Sequence, residues 1–398
     1  MPAQQQTLRE VIEALALLER RAGSPGEEQA ARWIAERLAR TGCEVEVDEE
    51  RFHDGYARVL GTLSASATLA GVAALGRRSR KLGAAVAAAV VAAIADDVSN
   101  GPRLFRRATA PLRTTWNVVA RCGDPSAERT LVVLAHHDAA PTGAIFNDTA
   151  QAWFGERFPG VIERIDTSLP VWWALLSMPA LIAIGGLREH RGMVALGLAG
   201  SIVGTAVLAD VARRPVCPGA NDNLTAVAVL VALAERLRDQ PLEGLRLLLV
   251  SCGAEEVLQG GIHGFAARHF PALDREKTWF LNLDTVGSPK LILLEGEGPV
   301  VMEDYHDRTF RDLVGRAAER AGAPVRRGMR SRTSTDAVIP SRAGYPTTTI
   351  TSMDRYKALS NYHKVSDTPQ NVDYGTVARA LTLAEAVARD LAAEGRGD

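Results

Sequence analysis

Five short patterns, met in chain order, carry side chains able to bind a metal or move a proton. The first, Ala135-His136-His137-Asp138, closes an apolar run. Residues i and i+2 of an extended segment face the same way, so Asp138 can hydrogen-bond the far nitrogen of His136 and orient it as a ligand. A purely structural pair has the same spacing. The second, Gly219-Ala220-Asn221-Asp222-Asn223, precedes a helix; an aspartate there caps the helix or, with two free oxygens, bridges two cations. In the third, Glu255-Glu256, adjacent carboxylates repel unless cations or protons relieve them. Either both belong to a solvated loop, or one is a ligand and the other a general base. The fourth, Asn282-Leu283-Asp284-Thr285-Val286-Gly287, puts Asp284 at the end of an apolar strand, where it needs a metal or an arginine. The fifth, Tyr362-His363-Lys364, lies in a polar loop near the C-terminus.

Together these residues supply hard and borderline donors suited to two zinc ions, each with an imidazole and a carboxylate, sharing one aspartate. A rival to Asp222 is Asp148 in Gly143-Ala144-Ile145-Phe146-Asn147-Asp148, but no apolar helix follows it, whereas Ala226, Val227, Val229, Leu230, Ala232 and Leu233 follow Asp222. His53, His190, His263, His269 and His306 have no ligand-type partners at sensible spacing. Arg326, Arg327, Arg330 and Arg332 read as a solvated loop, or as a contact for a substrate carboxylate.

Strands alternating with helices must position these groups. Strands are expected over residues 43–52, 115–121, 129–135, 245–251, 278–284, 290–294 and 347–351, and helices over 224–238, 308–321 and 376–394, with two more within 7–40 divided by Gly23-Ser24-Pro25-Gly26. This alternation predicts an α/β fold whose central, mainly parallel mixed sheet is covered on both faces, with ligand chemistry beyond the strand C-termini. Residues 59–97 and 169–212 break the pattern: each holds two apolar runs about a short charged turn and reads as an inserted helical hairpin.

A chain of 398 residues with 46% hydrophobic and 23% charged residues can bury a large core, and its formal net charge of −1 gives no reason to expect nucleic acid as a partner. The four cysteines contain no Cys-x-x-Cys pair and read as buried free thiols. Residues 1–13 lack the apolar run of a signal peptide. Residues 169–187 carry no formal charge, include Trp172-Trp173, and with residues 193–209 suit a membrane-associated hairpin; residues 59–76 and 82–95 form a weaker pair. An even number of crossings leaves the N-terminus and catalytic part on one side, read here as the cytoplasm. The alternative is a soluble cytoplasmic chain in which the four helices form a cap or a homo-oligomer face.

The five patterns, with Gly23-Ser24-Pro25-Gly26-Glu27, Trp116-Asn117-Val118-Val119-Ala120 and His363-Lys364-Val365-Ser366-Asp367-Thr368, resemble the M28 zinc metallopeptidases of aminopeptidase type. The resemblance covers residues 7–57, 114–145 and 216–394 and omits the hairpins. It implies a three-layer zinc-exopeptidase-like fold, with residues 1–398 as a single catalytic domain. It further implies that His136 and Asp284 bind one zinc, Glu256 and His363 the other, and that Asp222 bridges them. Glu255 is then the general base, Asp138 orients His136, and Tyr362 steadies the oxyanion. The implied substrate is a peptide, hydrolysed at its N-terminal bond. Two alternatives are acyl transfer of glutaminyl-cyclase type, which needs a single zinc, and a non-catalytic membrane scaffold, which has no use for a complete ligand set.

Overall fold

A computed structural model describes residues 3–394. The described residues form nine strands: β1 (Glu44–His53), β2 (Leu112–Gly123), β3 (Thr130–His136), β4 (Arg246–Cys252), β5 (Thr278–Leu283), β6 (Lys290–Glu297), β7 (Glu303–Asp304), β8 (Arg326–Ser331) and β9 (Thr347–Met353). They join in one mixed sheet of order β1-β2-β4-β3-β5-β9-β6-β7, with β8 beside β6. The central strands β4, β3, β5 and β9 are mutually parallel. Every residue of β3 is buried, which explains why its sequence has no polar alternation.

The helices are α1 (Ala3–Leu15), α2 (Pro25–Ala39), α3 (Tyr56–Leu75), α4 (Arg80–Val98), α5 (Leu104–Thr109), α6 (Thr149–Arg157), α7 (Pro159–Arg164), α8 (Val171–Leu187), α9 (Arg191–Val211), α10 (Thr225–Asp239), α11 (Gly260–His269), α12 (Arg308–Arg320), α13 (Val338–Arg342) and α14 (Tyr374–Glu394). Helix α2 begins where Ser24 accepts the Glu27 N–H, with Pro25 in the first turn. On one face of the sheet Leu8, Ile34, Val229, Phe310 and Leu381 share a core drawn from α1, α2, α10, α12 and α14. Ile262, Phe265, Phe280 and Tyr345 fill the other face. The fold is therefore the expected three-layer α/β arrangement.

The two apolar insertions are helical hairpins, α3–α4 and α8–α9, and they pack together as a four-helix bundle above the carboxyl edge of the sheet. Asp97, at the end of α4, anchors the bundle: Arg106 of α5 donates to both of its oxygens at 2.8 Å, with both side chains only 1% exposed. Arg106 also donates to the His53 carbonyl at 3.1 Å, tying α4 and α5 to the end of β1.

Four expectations need correction. Cys43 and Cys122 form a disulfide, because the antiparallel register that pairs Glu44 with Arg121 also sets these cysteines opposite each other, with Cα atoms 4.9 Å apart. Spacing along the chain carries no sign of that register. Cys217 and Cys252 are free and buried, as expected. Arg326, Arg327 and Arg330 do not lie in a loop: β8 is an edge strand in which Arg327 meets Glu295 at 2.9 Å and Arg330 meets Asp304 at 2.7 Å, and only Arg332 lies in the bend beyond it. Residues 149–164, given no element by periodicity, form the short helices α6 and α7. Finally, His269 does have acidic partners, Asp48 at 2.7 Å and Glu46 at 3.9 Å, brought together by the packing of α11 on β1. Arg121 and Arg268 already pair with these acids, so the group reads as a surface salt-bridge network.

Removing one partner of a buried ion pair leaves the other charge uncompensated, at a cost of ~3–5 kcal/mol. Asp97→Ala should therefore lower unfolding stability by about that amount, measured by denaturant titration, whereas removing an exposed pair such as Arg238–Asp239 should change it by less than ~1 kcal/mol.

Candidate metal centre

The parallel strands all end on one side, and every candidate ligand lies there. His136 is the last residue of β3, the Glu255-Glu256 turn follows β4, Asp284 follows β5, and His363 lies in the loop after β9. Asp222 sits in the turn that leads into α10. Three groups of donors emerge, each offering atoms within 4.8 Å of one another: His136, Asp222 and Asp284; Asp222, Glu256 and His363; and His136, Glu255 and Glu256. Asp222 belongs to the first two. Its Oδ1 lies 3.4 Å from His136 Nε2 and its Oδ2 lies 3.4 Å from His363 Nε2, while Glu256 Oε2 is 3.2 Å from the latter nitrogen.

Asp138 takes a central position. Its carboxylate lies 3.4 Å from His136 Nδ1 and accepts the backbone N–H groups of Glu255 and Glu256, each at 3.0 Å. One buried aspartate thus orients an imidazole and holds the acidic turn. His137 points elsewhere and is bonded through Nδ1 to Ser251 Oγ at 2.9 Å. Asp148, the rejected rival to Asp222, is half-buried away from the cluster and pairs with Lys364 at 2.5 Å. Tyr362 stacks on the His363 ring with centroids 3.8 Å apart, and Phe146 packs edge-on to the same imidazole at 4.5 Å.

Burial would make both histidines less basic, but the carboxylates reverse its effect. Asp138 and Asp222 raise His136 well above its ordinary value, and Glu256 and Asp222 bring His363 to about 10. Burial would likewise raise Asp222, yet the two imidazoles 3.4 Å from its oxygens hold it well below the usual carboxylate range. Glu255, Glu256 and Asp284 are all pushed up, chiefly by burial.

Several supporting residues escaped the sequence reading. Arg20, fully buried, donates to the carbonyls of His137 and Pro218 at 2.8 Å, joining the first and second patterns. Asp367 accepts the N–H groups of Asn221 and Asp222 at 2.7 and 3.1 Å, so the C-terminal loop grips the Asp222 turn. Asn223 donates to the Leu283 carbonyl at 3.0 Å and accepts from the Thr285 N–H at 2.9 Å, fixing Asp222 beside the end of β5. Glu27 accepts from the Ala254 N–H and from Thr115 Oγ1, both at 2.8 Å, and so positions the turn before Glu255. Gln259 donates to Glu255 Oε1 at 2.9 Å and accepts at 2.9 Å from Asn100, just beyond α4. Asp336 is buried with neither oxygen hydrogen-bonded to a partner, and burial raises it to about 7. The one available signal was that Glu27, Asn223 and Asp367 lie inside quoted motifs; an isolated Arg20, Gln259 or Asp336 has none.

The chemistry of this donor set fits zinc. His363 Nδ1 and Nε2 and Glu256 Oε1 are buried without a hydrogen-bond partner, the condition expected of side chains whose partner is a cation. A separate cleft of about 530 Å³, lined by Glu156, Arg326, Met353 and Tyr356 among others, contains none of these groups.

Comparisons with known proteins agree with this arrangement. The sequence profile described as "Peptidase family M28" matches residues 204–388. No curated protein matches the chain in sequence. Among solved structures, an aminopeptidase from Aneurinibacillus sp. strain AM-1 superposes with a TM-score of 0.56 at 16% identity, covering 96% of this chain and 92% of its own. The zinc aminopeptidase BSAP from Bacillus subtilis gives 0.55 at 15% identity, with coverage of 97% and 94%. A glutaminyl cyclase from Bacteroides thetaiotaomicron, bound to N-acetylhistamine, gives 0.57 at 13% identity and 97% coverage of both chains. These likenesses establish a shared fold, and the profile match makes residues 204–388 similar to peptidase family M28.

Proposed function

We propose that the protein is a zinc-dependent aminopeptidase that hydrolyses the N-terminal bond of peptides. The observation that carries this reading is the pair of donor groups sharing Asp222. His136 and Asp284 would hold one zinc ion, Glu256 and His363 a second, and Asp222 both. When bound, zinc supplies Lewis acidity, which polarises a carbonyl and makes water a better nucleophile.

Glu255 is the general base. Its Oε2 lies 3.9 Å from His136 Nε2 and therefore faces the donor cluster, but it belongs to neither of the two groups that share Asp222. Burial raises its basicity, so it can take a proton from water and pass it to the leaving amine. Gln259 holds the other carboxylate oxygen of Glu255, leaving Oε2 free to act. Tyr362, against the His363 ring, can donate its hydroxyl to a developing oxyanion. The glutaminyl cyclase fold match supports a second reading, acyl transfer within an N-terminal glutamine. The complete double donor set favours hydrolysis.

Elemental analysis of zinc-replete protein should find two ions per chain, and Asp222→Ala should weaken both; a single ion unaffected by that change would overturn the shared site. Glu255→Gln should retain metal and lower kcat ~10²–10⁴-fold, whereas Glu256→Gln should lose metal. A peptide with a free N-terminus should be cleaved and its acetylated form spared; cyclisation of an N-terminal glutamine peptide without hydrolysis would select the second reading.

Gln259→Leu should lower kcat with little change in KM and displace the acidic limb of the kcat–pH profile, because it frees the base to rotate. A profile identical to the native one would show that Gln259 does not position Glu255. In metal-free protein His363 holds its proton up to about 10, and that proton must leave before zinc binds. Chelator-competition titration should therefore show zinc affinity rising with pH toward that value. By the same linkage, the stability that His363 lends the metal-free fold is full below its ordinary value of 6.5 and is lost as pH rises through about 10.

A further inference from the structure

The four-helix bundle is built inside out for water. A water-soluble bundle places large apolar residues inside and polar ones outside. Here Leu69, Leu82, Leu187, Leu196 and Val203 point outward, each 60–72% exposed. Toward the hairpin turns small residues dominate the interior, with Ala70, Ala74, Ala87 and Ala183 around Ile182 and Val194. A Cβ added to Gly83 would lie 2.5 Å from the Ala70 carbonyl oxygen, and one added to Gly197 would lie 2.5 Å from that of Met178. Close backbone approach at glycines, with bulky aliphatic groups turned outward, is how helices pack within lipid.

Length and charge agree with that reading. Helices α3 and α9 have 20 and 21 residues, about 30 Å at 1.5 Å per residue, which matches the hydrocarbon thickness of a bilayer. Both meet the length and hydropathy requirements for crossing a membrane. Between residues 59 and 76, 82 and 95, 169 and 187, and 192 and 209 there is no Asp, Glu, Lys or Arg. The two hairpin turns lie together at the far end, where Arg80 pairs with Glu189 and Arg191 reaches the Leu75 carbonyl. Arg77, Arg78, Lys81 and Arg188 make that end basic, complementary to anionic headgroups. Aromatic rings mark the near end: Tyr56 and Trp172 meet edge to face at 6.1 Å, and the Trp173 indole donates to the Pro299 carbonyl at 3.1 Å. Such rings suit the boundary between hydrocarbon and water.

That boundary is also the roof of the metal centre. Tyr56 packs against Ala254 and Val257, on either side of the Glu255-Glu256 turn. Phe146 touches the His363 ring and also the lower bundle core around Leu60, Leu63 and Val211. We propose that the bundle spans a lipid bilayer and opens the active site at its surface, so that the substrates are membrane-borne peptides presenting a free N-terminus. The substrate half of this proposal rests on the aminopeptidase reading; the bilayer half does not.

The test uses the full-length, zinc-loaded chain with vesicles of phosphatidylcholine and phosphatidylglycerol. The protein should float with the vesicles and resist carbonate extraction, and Leu69→Ser/Leu196→Ser/Val203→Ser should float less while keeping its zinc content. Two peptides of one sequence, with and without a C-terminal palmitoyl group, then probe the site. Confinement to the vesicle surface should raise kcat/KM for the lipidated peptide ~10-fold or more, and dissolving the vesicles in detergent should abolish the difference. A monodisperse soluble monomer or dimer, obtained without detergent and absent from the floating fraction, would overturn the bilayer assignment. Flotation with equal kcat/KM for both peptides would overturn the substrate class. Flotation with no cleavage of either peptide would overturn both the substrate class and the aminopeptidase reading, while upholding the bilayer assignment.

Discussion

Asp138, Asp222, Glu255, Glu256, Asp284 and Asp336 crowd one desolvated volume at the end of the sheet, with two imidazoles among them. Buried carboxylates at this spacing cannot all ionise unless positive charge is supplied from elsewhere. The rest of the structure is arranged around this need. Arg20 donates to backbone carbonyls and so braces the loops, while its charge offsets Asp138, Asp222 and Asp367 from a distance. Asp138 spends its acceptors on the N–H groups of the acidic turn. What remains for the cation is a set of inward oxygens and nitrogens held in place by backbone contacts.

This explains the backbone conformations nearby. Ala254, Leu258, Gln259, Thr285 and His363 all take left-handed φ values between 51° and 61°. Non-glycine residues adopt that region at a cost, and clusters of them occur where side chains must be aimed. Each strained residue lies beside or within a turn that delivers a ligand or the base. The hydrogen bonds of Glu27, Asn223 and Asp367 hold those turns in place.

The sheet, the order of its helices and the five ligand-bearing patterns were legible in the sequence because they follow from periodicity and local chemistry. Residues 131–134 could only be a strand buried on both faces, and the Asp222 turn leads directly into an apolar helix. What was illegible depends on register and long-range contact. The pairing of Cys43 with Cys122 follows from how β1 aligns on β2, and the meeting of His269 with Asp48 from how α11 lies on β1. The supports of the centre belong to the same class: Arg20, Gln259 and Asp336 bear no local pattern, and only the folded chain brings them under or beside the ligands. Arg326, Arg327 and Arg330 were misread for the opposite reason, since a charged edge strand has the composition of a loop.

One further consequence follows from the grip of Asp367 on the Asp222 turn. His136 is synthesised in the first half of the chain, whereas His363 and Asp367 come near its end. A ribosome-bound chain lacking the final loop can pair β3, β4 and β5 but has neither the second imidazole nor the acceptor that orients Asp222. The complete donor set thus forms only after both hairpins and the strands of the sheet have been made. The order of the donors along the chain keeps the cluster incomplete until His363 has been made.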